Sequence, residues 1–240
     1  MNNIGIIGNG KWAKIMIPLI SKLSNIRFVA NSKIDFKKLN LKNISWIFVL
    51  TNNETHYKIV RYFLNKKKNV FCEKPLAKSY SQVLKLYNLS KKKKVKLYVN
   101  DVEFFKKKIF VIKKTNKILR IKKSLKNENS LLHRLAYHDF YLLKKYIISN
   151  DIKIIKNVEK NNELKLKIMT NDKCFEFFYD INSKIKVHKI NKVDMMNFKR
   201  NPLKEMIKNI YKINKKKLDI NKSNTIFASK LISTINNKFS

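Results

Sequence analysis

Hydrophobic and polar positions follow two different rhythms along the chain. Up to about Asn100, short apolar runs end in polar clusters and are followed by amphipathic stretches of helical period. That order predicts parallel strands alternating with helices. Ile4 to Ile7 reads as a first strand, Lys11 to Leu23 as a helix and Ile26 to Ala30 as a second strand. A polar connection, Asn31 to Asn43, leads into Ile44 to Leu50, a near-continuous apolar run of the kind a strand buried on both faces shows. A helix then runs from the Thr51–His56 turn to about Lys66, followed by a strand at Val70 to Cys72. Ser79-Tyr80-Ser81-Gln82 has the spacing of a capping box and opens a helix to about Ser90, and Val95 to Val99 is the next strand. Beyond Asn100 the alternation stops. Lys117 to Leu125 reads as a strand and Leu132 to Ile148 as a helix with Leu135, Leu142 and Tyr146 on its apolar side. Leu164 to Thr170, Cys174 to Asp180 and Lys184 to Lys189 read as an antiparallel meander, turning at Asn171-Asp172 and Asn182-Ser183. Helices at about Pro202 to Ile213 and Asn221 to Asn236 close the chain.

The chain has 240 residues, enough to bury a full core, and the change of rhythm divides it into 1–100 and 101–240, with the last helices free to pack back on the first part. No apolar run reaches the ~18 residues of a membrane span, and no basic segment with an apolar core follows Met1. The expectation is a cytoplasmic protein with no membrane partner. Cys72 and Cys174 form no disulfide framework, suit a reducing compartment and have no metal-ligand spacing, so no metal site is expected.

The net charge of +39 admits two readings. One is a polyanion-binding protein on an α/β scaffold, since clustered lysines release counterions from nucleic acid. The other is compositional drift. Lysine supplies 50 of the 55 basic residues beside 31 asparagines, the pattern that A/T-rich codons produce. The lysines are spread over the whole chain, whereas a site that reads bases tends to use the bidentate arginine fork. Drift is the better account, with non-specific attraction to polyanions and no specific nucleic-acid partner.

Glycine is used with the opposite economy. The chain has 3 glycines, Gly5, Gly8 and Gly10, all within its first ten residues. Gly8-Asn9-Gly10-Lys11-Trp12-Ala13 has the G-x-G-x-x-A form of a dinucleotide-binding loop. Gly8 permits the sharp turn, Gly10 lets the backbone approach a pyrophosphate, and Ala13 lets the helix pack close to its strand. The helix would then aim its free N–H groups at the phosphates. The predicted fold class is α/β, an N-terminal Rossmann-type doubly wound parallel sheet followed by a reduced α+β domain with a mostly antiparallel sheet. In such sheets ligands sit beyond the carboxyl ends of the strands, where Gly8–Ala13, Thr51–His56 and Glu73–Pro75 fall.

Taken together these clusters resemble the Gfo/Idh/MocA family of NAD(P)-dependent oxidoreductases. GIIGNGKWA resembles the family's nucleotide loop, and TNNETH its T-P-P-x-x-H turn with asparagines in the proline positions. NVFCEKPLA is similar to its H-V-x-x-E-K-P-L-A motif, and NPLKEMIKNIYKINKKK to its closing helix. The resemblance implies hydride transfer between a nicotinamide and a sugar, nucleotide sugar or related polyol. It implies catalytic roles for Lys74 and His138, with a cis proline at Pro75 and Glu73 orienting the lysine. The cofactor would be held by Gly8, Asn9, Gly10, Lys11, Trp12, Ala13, Ser32, Lys33, Thr51, Asn52, Asn53, His56, Glu73, Lys74 and Pro75. Substrate would meet Lys74, Arg134, His138 and Asp139, and the C-terminal sheet would offer a homo-oligomer interface.

Two positions depart from the family pattern. Leu132 to Asp139 resembles the D-x-x-x-H-D helix start, but Arg134 stands where the family has aspartate. A guanidinium cannot accept a proton. Either Lys74 and His138 suffice, or Arg134 binds an anionic substrate group, or the protein is an altered or inactive relative that only binds a dinucleotide. The second strand also lacks the carboxylate that binds a ribose 2′-hydroxyl, and Ser32 and Lys33 could receive a 2′-phosphate. NAD or NADP therefore fits, with a lean toward NADP.

Overall fold

The structure is a computed structural model and describes residues 1–31, 33–106, 108–122, 131–147, 152–160 and 162–239. It divides into two compact units, residues 1–105 with 202–226, and residues 106–201 with 227–240. Ser32 lies outside the described residues, as do the ends predicted for the strand beyond Lys122 and the helix at Ile148.

In the first unit β1 (Asn2–Ile7), β2 (Ser24–Ala30), β3 (Trp46–Val49), β4 (Asn69–Cys72) and β5 (Leu97–Val99) form a parallel sheet in the order β2-β1-β3-β4-β5. The apolar run at β3 has the predicted cause. Ile47 and Val49 face a core shared with α2 (Asn53–Asn65) and α3 (Tyr80–Lys93), while Trp46 and Phe48 face one shared with α1 (Lys11–Ser21) and α5 (Pro202–Tyr211). Both faces are dry, so no polar position interrupts the strand. Ser79 caps α3 as its sequence predicts, its hydroxyl accepting from the Gln82 amide at 3.3 Å.

The last helix, α6 (Lys215–Phe239), meets the edge of this sheet at Asn221. Asn221 is buried against β5, where its Oδ1 accepts from the Val99 amide at 3.0 Å and its Nδ2 donates to the Val99 carbonyl at 2.8 Å. A side-chain amide thus stands in for the next strand at the sheet edge.

In the second unit β6 (Thr115–Ile121), α4 (Tyr137–Leu143), β7 (Lys153–Lys160), β8 (Glu163–Met169), β9 (Cys174–Asp180), β10 (Val187–Ile190) and β11 (Val193–Asp194) follow in chain order. The sheet runs β11-β10-β6-β9-β8-β7 and is antiparallel except for the β6–β9 pair. The predicted meander is broken here: β6 lies between β9 and β10, and β7, which the pattern did not reveal, pairs with β8. Ile118 on β6 and Phe175, Phe177 and Tyr179 on β9 turn inward to one apolar core, so β6 buries one face by inserting there. The predicted helix from Leu132 begins instead with a wide turn, Leu132–Ala136, in which the Tyr137 amide bonds the Leu132 carbonyl five residues back.

Candidate active site

The carboxyl ends of the first unit's strands are laid out in a row by the ladder that continues past them. The Gly8 amide donates to the Ala30 carbonyl at 2.6 Å, Leu50 to Ile7 at 2.8 Å, Glu73 to Val49 at 3.0 Å and Asn100 to Cys72 at 2.9 Å. Each motif therefore starts from a fixed backbone position.

Gly8 is required on two grounds. Its φ is +119°, which side chains rarely adopt, and a Cβ there would lie 2.5 Å from the Leu50 carbonyl oxygen. Gly10 is different, because a Cβ would meet nothing within 4 Å. It precedes α1 directly, and neither a side-chain cap nor an acidic residue occupies that helix start. Ala13 is fully buried where α1 packs on the sheet. An open space over the first-turn amides, kept clear by a glycine, fits a pyrophosphate. Asn9 and Lys11 are exposed beside it.

The Thr51 turn is tied internally, with the Thr55 hydroxyl donating to the Asn52 carbonyl at 2.8 Å and bonded to the Thr51 hydroxyl at 2.7 Å. Asn52 and Asn53 begin α2, and neither spends a side chain on capping it. His56 is fully buried, with Nδ1 at 2.7 Å from the Pro75 carbonyl oxygen and Nε2 at 3.0 Å from that of Thr51. Burial holds its pKa below the ordinary value against these bonds, so the neutral ring donates one of them. Its ring nitrogens thus connect the Thr51 turn to the Pro75 loop and are not turned to a ligand.

The Lys74–Pro75 bond is cis. Glu73 is 8 % exposed, and its Oε1 accepts from both Trp12 Nε1 and Asn100 Nδ2, each at 2.5 Å. Burial raises the Glu73 pKa, and the bonds from Asn100 and Trp12 only partly offset it. Lys74 is half-buried. Asn100 was not legible as a site residue, although its place after a strand end is the signal that marked the other three clusters. Lys33 is exposed after β2, its amide bonded to Asn31 Oδ1 at 2.9 Å.

Arg134, His138 and Asp139 belong to the second unit. His138, in the first turn of α4, is half-buried and packs edge to face on Tyr137. Arg134 sits in the wide turn, and Glu159 of β7 opposes burial in setting its pKa, so the guanidinium has a carboxylate of its own nearby. Asp139 has no exposed surface. It accepts from Arg120 Nη2 at 2.7 Å, Arg120 Nε at 3.2 Å, His188 Nε2 at 2.9 Å and Tyr179 Oη at 3.0 Å. The expected substrate contact at Asp139 is therefore corrected to a buried anchor for α4. Register explains it: Arg120 is opposite His188 on one side and Tyr179 on the other, so one row across β10, β6 and β9 converges on this carboxylate. Polar residues at inward positions of strands were the available signal. Burial alone would push the Asp139 carboxyl up, but Arg120 and His188 hold it well below the usual range.

Residues 20–101 match the family model described as "Oxidoreductase family, NAD-binding Rossmann fold" of the GFO_IDH_MocA group. The matched stretch contains the Thr51 turn and the Glu73-Lys74-Pro75 loop and begins after the glycine loop. Comparison with curated proteins returns no match. Among solved structures, the chain is similar to a dehydrogenase from Clostridium difficile, with 20 % identity, a TM-score of 0.79 and 99 % of each chain covered. It is also similar to a UDP-N-acetylglucosamine 3-dehydrogenase from Acidithiobacillus ferrooxidans, at 11 % identity and a TM-score of 0.78, covering 96 % of this chain and 95 % of that one. A 3-ketoreductase from Actinomadura kijaniata, solved with TDP-benzene and NADP, gives 9 % identity and a TM-score of 0.77 over 96 % and 95 %. At such identities the structural likeness speaks for the fold. Residues 20–101 are thus similar to the nucleotide-binding part of the Gfo/Idh/MocA oxidoreductases, and the chain as a whole shares the fold of these solved dehydrogenases and reductases.

Proposed function

We propose that this protein is an NAD(P)-dependent oxidoreductase acting on a hydroxyl or carbonyl of a sugar, nucleotide sugar or related polyol. The observation that carries the reading is the set of joined strand ends in the first unit. A clear space over the start of α1 adjoins a buried carboxylate, and Lys74 follows that carboxylate directly. The nicotinamide would give or take the hydride. Lys74 would hold the substrate oxygen with its ammonium and stabilise negative charge as it develops there. His138 would accept or return the hydroxyl proton. Gly8, Gly10 and the first-turn amides of α1 would bind the pyrophosphate, and Lys33 would favour a 2′-phosphate and hence NADP. The dehydrogenase of UDP-N-acetylglucosamine and the 3-ketoreductase solved with TDP-benzene support a nucleotide sugar.

The second reading is a relative that binds the dinucleotide without turnover. It is favoured by Arg134, whose nearby Glu159 leaves it less free to take an anionic substrate group. The test is titration with NADPH and NADH by cofactor fluorescence, then turnover on a panel of nucleotide sugars with Lys74→Ala and His138→Ala. Binding with turnover, and loss of about 100-fold or more in either variant, is the expected result. Binding with no turnover on any panel member selects the second reading, and no binding at millimolar concentration removes both.

A further inference from the structure

We infer that Trp12 is a positioning residue, its indole N–H tying the dinucleotide loop to the Lys74 loop through Glu73. The inference rests on the oxidoreductase reading. Trp12 is the second residue of α1, directly after the open space at Gly10, and its Nε1 reaches Glu73 Oε1 at 2.5 Å. The same oxygen takes Asn100 Nδ2 at 2.5 Å. The two donors differ in freedom. Asn100 is fixed by its own amide on the Cys72 carbonyl at 2.9 Å and by the Val102 amide on its Oδ1 at 2.9 Å. Trp12 follows the open space at Gly10 directly, so a ligand seated there would meet the indole before the asparagine.

Glu73 is buried, so water replaces a lost donor poorly. A shift of Trp12 is therefore felt at Glu73 and at the residue bonded to it, Lys74. Lys74 favours its ionised form, Trp12 and Asn100 are neutral donors that do the same, and Cys72 beneath it is a thiol pushed up by burial and by Glu73 itself. Ligation of the loop and ionisation of Glu73 are thus linked, and linkage acts both ways.

The first readout needs no turnover. The chain has 2 tryptophans, Trp12 and the buried Trp46, so tryptophan emission of the ligand-free protein is followed against pH. A transition centred above the ordinary glutamate range is expected, moving when NADP⁺ saturates the protein and vanishing in Glu73→Gln. Asn100→Ala, which removes the other donor to the ionised form, should move the transition to higher pH, and it serves if Glu73→Gln does not fold. In turnover, Trp12→Phe should lower kcat about tenfold, the worth of one bond to a charged group, with the NADP⁺ Kd changed less than about twofold. A transition that persists in Glu73→Gln, ignores Asn100→Ala or does not move with NADP⁺ overturns the inference. So does a Kd that rises in Trp12→Phe as much as kcat falls, which would make Trp12 a cofactor contact. Should no dinucleotide bind the wild type, the oxidoreductase reading fails on that ground, and the ligand-free titration still decides whether Trp12 reads Glu73.

Discussion

Two glycines two positions apart separate folding from function. Gly8→Ala forces a side chain into a φ of +119° and against the Leu50 backbone, so it should cost about 2 kcal/mol or more in urea unfolding. Gly10→Ala meets nothing and should leave unfolding unchanged within about 0.5 kcal/mol, while weakening dinucleotide binding at least about tenfold. Equal loss of stability in both would show that the loop is only a turn. Asp139 makes the opposite case, a residue whose place in a motif suggested chemistry and whose surroundings give it a structural task. Asp139→Asn leaves Arg120 buried without its counter-charge and should cost about 3–5 kcal/mol. Its folded pKa is depressed, so its stabilisation is complete above the unfolded aspartate value of about 3.9 and is lost as pH falls toward the folded one. Urea midpoints between pH 5 and the most acidic folded condition should therefore fall more steeply in the wild type than in the variant.

At the scale of elements, the first unit's strands and helices were legible because their two determinants are local. Ser79 bonds Gln82 within one turn, and β3 is apolar because both its faces are dry. The second unit's order was not legible. Nothing local tells β6 to lie between β9 and β10, since that choice depends on how Ile118, Phe177 and Tyr179 share one core. Lys153–Lys160, KIIKNVEK, has no regular alternation, and only its pairing with β8 makes it a strand. Asn221 opens the last predicted helix, and no neighbouring residue marks it as a partner for β5. Removing its two bonds in Asn221→Ala strands the Val99 amide and carbonyl and should cost about 2 kcal/mol, with faster hydrogen exchange at β5 as the local signature.

For the whole molecule, charge remains the dominant quantity. With 55 basic against 16 acidic residues, the protein should bind any nucleic acid at low salt. The drift reading predicts that this affinity falls steeply between about 50 and 200 mM salt and is the same for unrelated sequences. Retention of one sequence at high salt, measured by competition, would restore the polyanion reading. Among the described residues no helix is long and apolar enough to cross a membrane. The chain also crosses between its units more than once, since residues 202–226 return to the first and 227–240 to the second.

The sequence by itself determined where the strand ends of the first unit fall and what chemistry stands on them. Gly8, the Thr51 turn and Glu73-Lys74-Pro75 are set by residues within a few positions of one another. Tertiary structure decided what those residues touch. It brought Trp12 and Asn100 to one oxygen of Glu73, gave His56 two backbone partners, and made Asp139 the end of a row of side chains from three strands. The physical reason is the range of the forces involved. Turn geometry and capping act within a turn of chain, whereas a buried polar group must find its partner wherever packing leaves one.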